Sequence, residues 1–309
     1  MVKVLYTSDM HGNQAQYKTL VEYAQEIKPD AIIIGGELYP KGSEFQREIN
    51  QDYLKRQGDF IVADLPQLLK PLRPTPVYLM PGNDDCDLYD TVLDEYAHIF
   101  TNIDQRRAPF PAGLEIVGYS NVPITPFGLK DRERFDLKEV PQEWIDAYDI
   151  MKKGYNLHGI KSTLGKNGPA LSNFSFNEDA AEEFIQTDLA YPAFTRNPQK
   201  TIYVFHTPTL ATALDITEFG LHIGSFAVKQ FIEQHQPYLT LHGHIHETVD
   251  MSGEYKHKIG NSLGMSAGNH NYDSKLAVLV FDTDDPSQAV RKKIPCTTLG
   301  KLRKRILGF

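Results

Sequence analysis

Seven short apolar runs punctuate the chain, and each closes on a polar turn. They are VKVLYTSD (2–9), DAIIIGGE (30–37), PVYLMPGN (76–83), LEIVGYSN (114–121), TIYVFHTP (201–208), YLTLHGHIH (238–246) and KLAVLVFD (275–282). Their length and their richness in Val, Ile, Leu and Tyr predict buried strands. Between them the period changes. Tyr17, Leu20, Val21, Ala24 and Ile27 recur at helical spacing and predict an amphipathic helix that Pro29 ends. Ala227, Val228, Phe231 and Ile232 predict another, with Ser225 as its N-cap and Pro237 as its stop. Leu88 to Phe100 reads as a third. Strand–helix alternation predicts an α/β fold with parallel pairing in the first half. Residues 255–282 carry strand-like runs without a long helix between them and predict a mixed sheet.

Residues 123–200 break the pattern. They are charged and proline-bearing, and KGYNLHGIKSTLGKNGP (153–169) is spaced by glycines without a period. So long a structureless stretch is unusual in a compact domain. It predicts a mobile segment or lid beside the site. Helical character returns at 177–189. There is no repeat and no low-complexity tract. The chain reads as one domain over 1–309, with 123–200 as an insertion and 301–309 as a basic, apolar tail docked on the surface.

Composition adds exclusions. At 41% hydrophobic and 23% charged residues, the chain has ample material for a core. A net charge of −8 sets the surface against nucleic acid and anionic membranes. Cys86 and Cys296 are too few and too far apart for a disulfide framework or a CxxC pair, which points to a reducing compartment. The N-terminus turns polar too early for a signal peptide, and no apolar run approaches the ~20 residues of a membrane span. A cytoplasmic protein is expected.

The polar ends of the strands carry the chemistry. They offer Asp9 and His11 in SDMHGN, Glu37 in GGEL, Asn83, Asp84 and Asp85 in PGNDD, His206 in FHTP, and His242, His244 and His246 in HGHIHE. In open α/β sheets ligands bind beyond the carboxyl ends of the strands, so parallel neighbours would bring these groups to one rim. Each fragment alone is weak; Asp-x-His is common and a Gly-Gly-Glu is often a plain turn. His-x-His on an extended strand places two imidazoles on one side. Together they supply carboxylates, an amide and imidazoles without a thiolate, a set suited to divalent first-row transition metals. There are more candidates than one ion needs. Two ions about 3.5–4 Å apart form a known arrangement for phosphoryl displacement.

The ordered series Asp9-x-His11, Gly36-Glu37, Gly82-Asn83-x-Asp85, His206 and Gly243-His244-x-His246 resembles the calcineurin-like metallophosphoesterase superfamily. The stretches 119–136 and 220–247 are similar to a small prokaryotic branch of it. The resemblance implies a four-layer α/β/β/α sandwich with two mixed central sheets. It also implies two divalent transition-metal ions, Mn, Fe, Zn or similar. Asp9, His11 and His246 would hold one, Asn83, His206 and His244 the other, and residue 37 would bridge. The ions would lower the pKa of a bridging water and act as Lewis acids on the phosphoryl oxygens, so that hydroxide attacks in line. Two divalent ions against Asp9 and Glu37 leave an excess of about two positive charges to attract a phosphate.

Two positions depart from the family pattern. Glu37 stands where Asp is usual, and its extra methylene moves the carboxylate outward. Asp84 stands where His is placed to protonate the departing oxygen. Beside a phosphate its pKa would rise, and a protonated Asp84 could donate. The alternative is an ionised Asp84 that points to solvent and contributes nothing, and this bystander role is the expectation. Asp85 is expected to orient a neighbour, while Cys86 and Asp87 are structural. His222, in GLHIGS, is a candidate to supply a proton or a phosphate contact; Asp215 and Tyr119 are similar but weaker. His242 is expected to face away from its neighbours, and Asn269 and His270 to lie near the rim.

The function implied is hydrolysis of a small phosphodiester or phosphomonoester. The acidic balance argues against a nuclease of the same superfamily. A degenerate fold serving as a metal-binding or protein-interaction scaffold is the other alternative, motivated by Glu37 and Asp84. The physiological substrate, native metals and oligomeric state, including a homo-oligomer, stay open.

Overall fold

The computed structural model describes residues 1–41, 49–270 and 274–296. All seven apolar runs are strands, but they divide between two six-stranded sheets. In the first sheet, Lys3–Thr7, Ala31–Gly35, Val77–Met80 and Thr101–Asn102 lie parallel in that order. Lys275–Asp282 pairs antiparallel with Lys3–Thr7, and Val290–Pro295 closes that edge. In the second, Leu114–Tyr119, Thr201–Phe205, Leu239–His242 and Ser262–Ser266 are parallel, and Arg107–Phe110 and Lys256–Ile259 are antiparallel edges.

The runs are apolar throughout because both faces of each sheet are covered. Val4, Tyr6, Ile33 and Met80 meet Ile116, Ile202, Val204 and Leu241 in the core between the sheets. Leu5, Ile32, Ile34 and Leu79 face the other way and pack with Tyr17, Leu20, Leu65 and Leu69. On the second sheet, Tyr203 and Phe205 lie under Phe226, Val228 and Phe231. The layers are therefore helix, sheet, sheet, helix, as expected.

The two predicted amphipathic helices are Gln14–Ile27 and Phe226–His235. Asn13 caps the first, accepting from the Ala15 and Gln16 amides. Ser225 caps the second, accepting from Val228 N at 3.0 Å while its hydroxyl donates to Asp136. Ser225→Ala removes both bonds and is expected to cost about 1–2 kcal/mol, read as a lower urea midpoint with an unchanged slope.

Three expectations need correction. The glycine-spaced stretch is not without structure. His158–Gly165 pairs antiparallel with Gly168–Ser175, and Lys166–Asn167 turn between them. Nearly all of this hairpin is half-buried or exposed, so its sequence shows no clean alternation. The third helix is shorter than 88–100: one tight turn at Asp87–Tyr89 and a helix at Asp90–Glu95. Over 177–189 only Ile185–Leu189 is α-helical, after a tight turn at Glu178–Ala180. The chain before it is drawn into a bridge between Phe135 and Phe184, which share a small core with Ile124. A helical stretch at 51–69, interrupted by a π-turn at Phe60–Asp64, was not anticipated. The proposed tail at 301–309 lies outside the described residues. Among the described residues no helix is long and apolar enough to cross a membrane.

Candidate metal centre

Five strands deliver the candidate ligands to one rim, three from the first sheet and two from the second. Asp9 and His11 follow Lys3–Thr7, Glu37 follows Ala31–Gly35, and Asn83 follows Val77–Met80. His206 follows Thr201–Phe205, and His244 and His246 follow Leu239–His242. The loops are short and sharply bent. Asp9, His11, Glu37 and His244 have φ of 56°, 44°, 54° and 69°, a region that side chains enter at a cost and that recurs at functional sites. Gly36, with φ 113°, must be glycine, because a Cβ there would lie 2.3 Å from His206 Nδ1. Main-chain bonds zip the first two loops together, Asp9 N to Gly36 O at 3.0 Å and His11 N to Glu37 O at 2.7 Å.

Two groups of ligand atoms result. In one, Asn83 Oδ1 lies 3.1 Å from His206 Nε2 and 2.7 Å from His244 Nδ1, and His206 Nε2 lies 3.2 Å from Glu37 Oε1. The His206 Nδ1–H donates to Gly35 O at 3.1 Å, which turns Nε2 toward the group. In the other, His11 Nε2 and His246 Nε2 approach to 3.2 Å, and His246 Nε2 lies 3.7 Å from Asp9 Oδ1. Asp9 Oδ1 accepts from His244 N at 3.0 Å, and Ser8 donates to its other oxygen.

This donor set fits divalent cations. Burial holds His11 and His246 well below the ordinary histidine range, and brings His244 down to about 3. Their rings are neutral and offer lone pairs. Burial also holds the Asp9, Glu37 and Asp84 carboxyls above their usual range. Burial alone would depress His206, but its hydrogen bond to Glu37 and that carboxylate's charge raise it. Buried anions that water does not stabilise are completed by a proton or a cation. Two buried atoms of the rim, His11 Nδ1 and Glu37 Oε2, have no hydrogen-bond partner among the described residues.

The remaining candidates separate clearly. Asp85 reaches no imidazole among the described residues. It is fully buried and accepts from Leu38 N at 2.7 Å, Tyr39 N at 2.8 Å and Gly82 N at 2.8 Å, so it ties the Glu37 loop to the Asn83 loop. Asp84 does not point to solvent: its side chain is 26% exposed and turns toward His11 Nδ1, 3.9 Å from Oδ2. His222 bonds Asp215 at 2.7 Å and is 43% exposed. Its contacts among the described residues stay within its own loop, whose Ala211, Thr212 and Gly224 amides Asp215 also binds. Tyr119 donates to Asp188 at 2.7 Å. His242 does face away, bonding Thr207 O and Thr240. His244 and His246 are not on the strand, which ends at His242; the turn sends their rings to different groups. Cys86 packs in the helical-side core, and Asp87 bonds Ser162 of the hairpin.

Sequence reasoning missed Arg132 and Lys41, and it placed Asn269 near the rim without giving it a role. Arg132 is buried, donates to Asp85 O at 3.0 Å and pairs with Asp90 and Asp104. Those partners lie far from it along the chain, so no local charge pattern marks it. Asn269 donates to Ser8 O and accepts from Ala277 N, bracing the strand end that carries Asp9. Lys41 stands close enough for its charge to bear on Asp9, His11, Asp84, His244 and His246.

The fold and this rim define an α/β sandwich with a cluster of candidate metal ligands at the strand ends. The family profile described as calcineurin-like phosphoesterase matches residues 2–248, and the protein belongs to that family. No curated protein matches the sequence closely enough to count as a relative. Among solved structures, TT1561 of Thermus thermophilus is similar over 94% of this chain and 98% of its own, at 14% identity and a TM-score of 0.50. A dimetal phosphatase from Danio rerio is similar over 95% of this chain and 96% of its own, at 12% identity and a TM-score of 0.52. At these identities the likeness is one of fold.

Proposed function

We propose that the protein is a metal-dependent phosphoesterase that hydrolyses a small phosphodiester or phosphomonoester with two divalent cations. The observation that carries this reading is the pair of buried ligand groups, with contacts from 2.7 Å to 3.7 Å, at the rim of a phosphoesterase-family fold. One cation belongs with Asn83, His206, His244 and Glu37 Oε1. The second belongs on the His11 side, where Asp9 and His246 also stand. When bound, the cations supply Lewis acidity toward phosphoryl oxygens and a water acidic enough to attack at neutral pH. The chain supplies the rest. Gly35 O fixes the tautomer of His206, Asp85 holds the two loops in register, and Asp9 and Glu37 balance the charge of the cations. Lys41 adds positive charge toward an incoming phosphate. The hairpin is tied through Ser162 to Asp131 and to Asp87, a little past Asn83 along the chain, and is the segment proposed to contact the rest of the substrate. The net charge of −8 favours a small substrate over a nucleic acid, and few cysteines fit a cytoplasmic setting.

The test is metal content by elemental analysis, alongside hydrolysis of generic mono- and diesters with added Mn²⁺. Two metals with turnover are expected. No metal and no turnover would leave a scaffold. Glu37→Gln removes the anion that faces both ligand groups. It is expected to lower metal occupancy and to cut turnover roughly 10–100-fold. Full occupancy with unchanged turnover would place residue 37 outside the centre.

A further inference from the structure

The two departures from the family pattern meet at one point. Glu37 Oε2 and His11 Nδ1 are the two buried atoms of the centre without a hydrogen-bond partner among the described residues, and they lie 3.4 Å apart on side chains only 2% and 1% exposed. Asp84 Oδ2 lies 3.9 Å from the same nitrogen. Each of the three residues brings one ligand atom within 4.8 Å of the others. The main chain pins Asp84 there. Its N–H donates to Glu37 Oε1 at 2.9 Å, and its carbonyl accepts from Gln57 Nε2 at 2.7 Å and from Tyr53. Two carboxylates held this close, one of them out of water, repel unless something positive lies between them.

We infer that His11 Nδ1, Glu37 Oε2 and Asp84 Oδ2 form a cation position of this chain's own, so that the ion on the His11 side is held by Asp84. A neutral imidazole has one lone pair and one N–H. With Nδ1 on the cation, the His11 Nε2–H donates to His246 Nε2, 3.2 Å away. The longer Glu37 and the carboxylate at residue 84 are then one coupled change: the first reaches past the shared position of an aspartate, and the second supplies the oxygen that meets it. A carboxylate bound to a cation carries no proton, so Asp84 is not a proton donor. Three carboxylates against two divalent cations leave one excess positive charge in place of two.

The inference rests on the two-cation reading and is separable from it. Metal-stripped protein is dialysed against Mn²⁺ and its bound metal counted, for wild type, Asp84→Asn and His246→Ala. Circular dichroism confirms folding, and Asp84→Glu is a second variant that keeps the carboxylate. The wild type is expected to bind two Mn²⁺. Asp84→Asn is expected to weaken the second by about tenfold or more, the scale on which partners of metal sites act. Asp84→Glu should recover part of that loss, and His246→Ala should retain the ion. A Mn²⁺-soaked crystal should show anomalous density touching Asp84. If His246→Ala loses the ion while Asp84→Asn keeps it at wild-type affinity, the ion sits at His11 Nε2 and the inference falls while the two-cation reading stands. If the wild type binds fewer than two, both fall.

Discussion

His206→Ala and His244→Ala are each expected to abolish turnover, by about a thousandfold or more, and to lower bound metal from two ions to one. The two rings stand on either side of Asn83 Oδ1, at 3.1 Å and 2.7 Å. No other nitrogen in that group can replace either. Loss of one of two cations removes several kcal/mol of stabilisation of the charge that develops on a transferring phosphoryl group, and about 4 kcal/mol corresponds to a thousandfold in rate. Circular dichroism of both variants checks that folding survives. The measurements are elemental analysis and hydrolysis of a generic diester with Mn²⁺ present. Near-normal rates in both variants would sink the assignment of this group to a metal.

Asp85→Ala is expected to act through the fold as well as the site. One fully buried carboxylate accepts three main-chain N–H groups from two loops, and nothing else among the described residues pairs them. Truncation leaves three buried donors without partners. At about 1–3 kcal/mol each, the loss is at least ~3 kcal/mol, large against the total stability of a domain. The loops carrying Glu37 and Asn83 then part, and Mn²⁺ affinity falls with stability. Asp85→Asn keeps one acceptor but turns an amide N–H₂ toward main-chain donors, so it should also destabilise, by less. A urea midpoint and a Mn²⁺ affinity both equal to wild type in Asp85→Ala would show that the loops hold each other without this clasp. Addition of Mn²⁺ should raise the midpoint of the wild type and do so less for the variant, because a ligand stabilises only a state that binds it well.

Much of the molecule was legible along the chain. The seven strands could be read because strands covered on both faces are continuously apolar, and that signal is local. The helices at Gln14–Ile27 and Phe226–His235 could be read because their stripes, the Pro29 stop and the Ser225 cap are set by neighbours a few residues apart. The gathering of these polar residues at one rim was legible for a related reason. A polar residue that follows directly on a buried strand has few places to go but the strand's end, and the order of such residues matched a family pattern.

Tertiary structure decided what depends on residues far apart in sequence. The division of the parallel strands between two sheets rests on which apolar faces meet, and every strand offers two. The hairpin at His158–Gly165 and Gly168–Ser175 carries little apolar signal because nearly all of it is half-buried or exposed, so its pairing was visible only once it was formed. The rings of His244 and His246 parted because the strand ends at His242 and the chain turns through a positive φ at His244, which no alternation rule registers. Asp85 clasps amides of residues 38 and 39, and Asp84 turns toward His11 rather than outward. A carboxylate's role is set by the donors and charges within a few ångströms of it. Those come from other loops, and only the folded chain brings them there.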